Sequence, residues 1–77
     1  MFLDMTIEKL IIETMKAEGV EFDELEARYV IFEGRSRFMV PVHKISSAII
    51  KRLVKIPGVK KISITVSGPR LYFLLDR

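Results

Sequence analysis

The sequence predicts an α+β two-layer sandwich, with two helices on one face of a four-stranded antiparallel sheet. Three observations predict it. Apolar residues recur at helical spacing in two segments, 5–18 and 43–56. Four short runs rich in β-branched and aromatic residues read as strands. Turn residues split those runs into two pairs, so the element order is α-β-β-α-β-β.

The first helix, MTIEKLIIETMKAE, places Ile7, Leu10, Ile11 and Met15 on one face. Asp4 or Thr6 suits its start, and Gly19 suits the position just past its end. In VEFDELE (20–26), Phe22 and Leu25 either pin an acidic loop to the core or belong to an added helical turn at 23–27. ARYVIFEG then reads as a strand, EGRSR as the turn with Gly34 at positive φ, and RFMVPV as the returning strand. Phe38, Val40 and Val42 share one face, opposite Arg37, Met39 and Pro41. Proline cannot donate to a ladder, so Pro41 belongs at a strand end or beside a bulge.

The second helix runs from about His43 to Ile56, with Ile45, Ile49, Leu53 and Ile56 as its buried stripe. Pro57 and Gly58 stop it. In VKKISITV, Ile62, Ile64 and Val66 face in, while Lys61, Ser63 and Thr65 face out. Ser67-Gly68-Pro69 turns the chain into RLYFLLD, where Leu71, Phe73 and Leu75 oppose Tyr72 and Leu74. Moving the first strand of a ferredoxin-like β-α-β-β-α-β unit to its end gives this order, a permuted ferredoxin-like arrangement. Its last strand would lie centrally, between the second and third, which accounts for apolar residues on both its faces. Pairing of hairpins from two chains into a larger sheet is the alternative.

At 77 residues, the chain reads as a single domain, 1–77, with a limited core. It has no Cys, so neither a disulfide framework nor thiolate chemistry is expected. Asn, Gln and Trp are also missing, while Lys, Glu and Ile are plentiful, a composition suited to a thermophilic intracellular protein. No apolar run approaches the roughly 20 residues that span a bilayer, and the start carries Asp4 and Glu8 in place of a basic, then apolar leader. A soluble cytoplasmic protein, without membrane contact, is the expectation.

Charge is divided along the chain. Up to Glu33, nine acids face only Lys9, Lys16 and Arg28, a net −6; from Gly34, ten bases face only Asp76, a net +9. Unless the halves interleave on folding, this gives a basic surface for an anionic partner or head-to-tail pairing of copies.

No catalytic or cofactor motif is present. His43 is the sole imidazole, there is no Cys, and the serines at 36, 46, 47, 63 and 67 carry no nucleophile-elbow pattern to give it a catalytic partner. The acids Glu18, Glu21, Asp23, Glu24 and Glu26 lack the spacing and glycine of a calcium loop. The expectation is a non-enzymatic binding or assembly module without cofactor or metal. Two helices on one side leave the other sheet face for a partner. Met39, Tyr72 and Leu74 lie there, with Arg37, Arg70 and Lys61 around them; either Tyr29 and Ile31 or Val30 and Phe32 join them. Tyr72, Leu74, Met39, Arg37 and Arg70 are the expected contact residues for a second copy or another protein. Nucleic acid is the alternative partner, its bases stacking on the sheet aromatics. Lys44, Lys51, Lys55 and Lys61 are the candidate phosphate contacts.

Overall fold

The computed structural model describes residues 6–65 and 68–76. The roles expected of Asp4, Val66 and Ser67 fall outside them. Helix α1 spans Thr6–Ala17, a 3-10 turn η1 Glu24–Glu26, strands β1 Arg28–Phe32 and β2 Arg35–Pro41, helix α2 Ser47–Val54, and strands β3 Val59–Thr65 and β4 Arg70–Leu75. The sheet is antiparallel with order β1-β2-β4-β3, so the last strand does lie between the second and third.

Helix α1 buries Ile11, Ile12 and Met15, with Ile7 packed beside them. Its buried face is turned from the expected one: Leu10 is exposed, and Glu8 is buried in its stead. That rotation is tolerable because the phenol of Tyr29 donates a hydrogen bond to the Glu8 carboxylate. The helix closes in a Schellman turn. Val20 N–H donates to Met15 C=O at 3.0 Å and Gly19 N–H to Lys16 C=O at 3.1 Å, with Gly19 at φ 72°.

The acidic segment that follows contains the helical turn, η1, and only half of the expected anchoring. Phe22 bridges to Val42 and packs on the core, whereas Leu25 is fully out in solvent. Asp23 N–H donates to Pro41 C=O at 3.0 Å, and His43 N–H to Glu21 C=O at 2.8 Å. The second bond ties His43 back to the acidic segment, and α2 begins at Ser47 and not near His43. Ser46 caps it, its hydroxyl accepting from Ile49 N–H at 3.3 Å.

The β1–β2 turn is shorter than EGRSR. Phe32 pairs with Arg35, leaving Glu33 and Gly34 at φ 52° and 78°, as a two-residue hairpin of the primed kind requires. Ser36 is therefore a strand residue opposite Ile31. Pro41 sits where β1 has already ended, since β1 pairs with β2 only as far as Met39.

Both helices pack on the sheet face that carries Phe38, Val40, Leu71 and Phe73, and with Leu53 and the α1 residues these form the core. Gly58, at φ 99°, lets the loop after α2 press on α1: a Cβ there would come within 2.9 Å of Ile7 Cγ1. Ile64 points to the helix side as expected, opposite Leu71, yet is 48% exposed because it lies on the sheet's outer strand.

Candidate functional site

The face without helices is built from register. Tyr29 pairs with Phe38, a core residue, so Tyr29 and Ile31 take the helix side. Val30 and Phe32 are left for the open face, which settles the ambiguous parity of that strand. The pairs Met39↔Tyr72, Tyr72↔Ser63 and Leu74↔Lys61 place all the expected contact residues on this same face, and Arg70, opposite Pro41 and Thr65, joins them.

These side chains cover one another. The rings of Phe32 and Tyr72 stack at 4.0 Å between centroids and 15° between planes. Arg37 lies under Phe32, its Cζ 5.5 Å from the ring centroid. Its Nη1 donates to Ser63 Oγ at 3.4 Å, and its Nη2 is 3.8 Å from Glu33 Oε1. As a result Arg37 is only 3% exposed, Met39 3% and Tyr72 8%. Leu74 is half-buried, and Arg70 and Lys61 stand in solvent. The apolar centre of the face is thus sealed within one chain, and its outward layer is the basic side chains at the margins.

Five cations share this face: Arg28, Arg35, Arg37, Lys61 and Arg70. Glu26 pairs with Arg28 at 3.2 Å and Glu33 approaches Arg37, but Arg35, Lys61 and Arg70 make no ion pair among the described residues. Arg37 Nε is buried without a hydrogen-bond partner among those residues, so a guanidinium with five donors is thinly bonded. Among the described residues, its one ion pair is with the exposed Glu33 carboxylate. Arg28 and Arg35 had no place in the expected contact set, and Phe32 stood there only as one of two alternatives. Their signal was the two-residue Glu33-Gly34 turn, which fixes the parity of both strands at once.

Lys44, Lys51 and Lys55 do not join Lys61. They are exposed around α2, on the far side of the sheet from it. The acids gather elsewhere, about the end of α1 and η1, where Lys16 and Glu24 pair at 3.0 Å and Arg52 pairs with Glu18. The hydrogen bond to Glu24 raises the Lys16 pKa, and the charge of that carboxylate adds to the effect. His43 lines a shallow hollow there with Lys16, Glu21 and Phe22. A second hollow, between α1 and η1, is lined by Glu8, Ile12, Ala27 and Phe38. Its buried carboxylate is engaged by Tyr29, whose own pKa is raised by burial.

Among the described residues, no helix is long and apolar enough to cross a membrane. Comparison with protein-family models, with curated proteins and with solved structures finds no match.

Proposed function

We propose that this chain is a small non-enzymatic binding module that presents its open sheet face to an acidic surface of a partner protein. One observation carries the reading: Arg28, Arg35, Arg37, Lys61 and Arg70 converge on a face whose ring faces are already used internally. Such a face attracts negative charge at a distance and offers guanidinium forks on contact. Two copies could not lay these faces together without opposing like charges. Nucleic acid fits less well, because base stacking needs open aromatic faces and Phe32 and Tyr72 stack on each other.

The test is titration with two polyanions of matched charge, a poly-glutamate peptide and a single-stranded oligonucleotide. The paired reversal Lys61→Glu and Arg70→Glu should weaken peptide binding by about tenfold, and added salt should weaken it further. Equal peptide binding by wild type and the double variant would overturn the reading. Tighter binding of the oligonucleotide, lost in Phe32→Leu, would favour nucleic acid instead.

A further inference from the structure

The two outer strands of the sheet are unequally protected. Strand β3 carries a register irregularity between Val59 and Lys61, and Lys60 and Lys61 sit at its start. Bulges and lysines are the usual means of keeping an edge from pairing with another chain. Strand β1 has neither. Its pairing with β2 is regular over all five residues, and it contains no proline, glycine or lysine. Among the described residues, no backbone hydrogen bond reaches it except from β2. On its helix side Ile31 is 75% exposed and Tyr29 43%.

We infer that β1 is a pairing edge for a second copy of this chain, joining two sheets antiparallel into one of eight strands. The occupant is argued from the strand itself. Antiparallel pairing about Val30 sets Tyr29 opposite the partner's Ile31, and Ile31 opposite the partner's Tyr29, so each exposed apolar residue is covered by the other type. On the open face it sets Arg28 opposite the partner's Phe32, one residue from the partner's Glu33. Glu33 already leans to that face, toward Arg37. Just ahead of the strand Glu26 already pairs with Arg28 at 3.2 Å, and an antiparallel copy brings the partner's Glu33 beside that arginine at each end of the seam. Pairing along the edge leaves the basic faces side by side, so it avoids the repulsion that face-to-face stacking meets. Five residues make a small interface, so the dimer is a weak one.

Light scattering on a sizing column, from micromolar to millimolar concentration, tests this. Wild type should rise from the mass of one chain to that of two. Ile31→Lys should stay at one chain throughout, since it sets a lysine into the seam twice, while Ile64→Lys on the opposite edge should behave as wild type. Ile31 is largely solvent-exposed, so its variant should keep the wild-type circular dichroism. Amide exchange gives a second readout: the outward amides of Arg28–Phe32 should slow as concentration rises. A single-chain mass at millimolar wild type, dissociation by Ile64→Lys, or exchange of β1 that ignores concentration would overturn the inference. Polyanion binding is measured separately, so either result can fail alone.

Discussion

The two faces of this sheet are closed in different ways. On one, helices α1 and α2 lie over Phe38, Val40, Leu71 and Phe73. On the other no element lies over the sheet among the described residues, yet Met39 and Tyr72 are nearly as buried as the core. There the cover is made of side chains: Phe32 folds over Tyr72, and the Arg37 stem and guanidinium run across the strands to Ser63. The contrast shows how a short chain can bury apolar surface on both faces with only one layer of helices. It also accounts for a cation at the centre of the open face. An arginine is long enough to serve as a lid and keeps its charge while doing so.

The sharpest way to break that comparison is to empty each face in turn. Phe73→Ala, on the helix side, should cost about 3–5 kcal/mol, a large share of the roughly 5–15 kcal/mol a small domain has. Met39→Ala should cost about 2–4 kcal/mol if the open face is a second core, against under ~0.5 kcal/mol for an ordinary surface site. Urea unfolding followed by circular dichroism measures both. A Met39 variant as stable as wild type would show that the lid seals nothing.

Arg37 separates lid from charge. Arg37→Ala removes stem and guanidinium together and should destabilise by about 1–3 kcal/mol through exposure of Tyr72 and the gap left beneath Phe32. Arg37→Met keeps the length and loses a buried, thinly bonded charge, so it should be neutral or stabilising, as buried ionic groups often are when replaced by apolar ones. If Met costs as much as Ala, the bond to Ser63 and the pull of Glu33 matter more than the cover. Binding should divide the other way, since Arg37→Met loses polyanion affinity while keeping the fold.

Elements were legible where one signal dominated. The alternation in 59–65 and the Pro57-Gly58 stop left one reading each, and the element order put β4 in the centre of the sheet, which accounts for the apolar residues of 71–75. Errors arose where two signals overlapped. Every residue from Tyr29 to Phe32 is apolar, so periodicity could not choose a face, and only register did. Ile11 and Ile12 are both apolar, so the α1 stripe could be read rotated toward Leu10; the buried Glu8 became intelligible only with Tyr29 across from it. The start of α2 lies at Ser47 and not near His43, whose N–H is bonded to Glu21, far off in sequence. For the contact face, membership was readable from alternation. Its sealing was not, because a lid of Arg37 and Phe32 is a matter of side-chain path across strands.

The mildest effect belongs to the helix side, at Tyr29. Burial raises the pKa of its phenol above the ordinary value of 10.0, and its hydroxyl donates to Glu8. Below pH 10 both folded and unfolded chains keep the proton. As pH rises past that point the unfolded chain releases it first, so proton release favours unfolding and stability falls until the folded phenol ionises too. Tyr29→Phe removes the titrating group. It should be less stable at neutral pH, because the Glu8 carboxylate loses a donor, and its stability should fall less steeply between pH 9 and pH 11. Lys16, whose pKa is also raised, titrates in the same window but is common to both chains and cancels in the comparison. Urea midpoints at the two pH values give the slopes. Parallel slopes would mean that the phenol is as free in the folded chain as in the unfolded one, and that the Glu8 side of α1 is held down by its apolar neighbours alone.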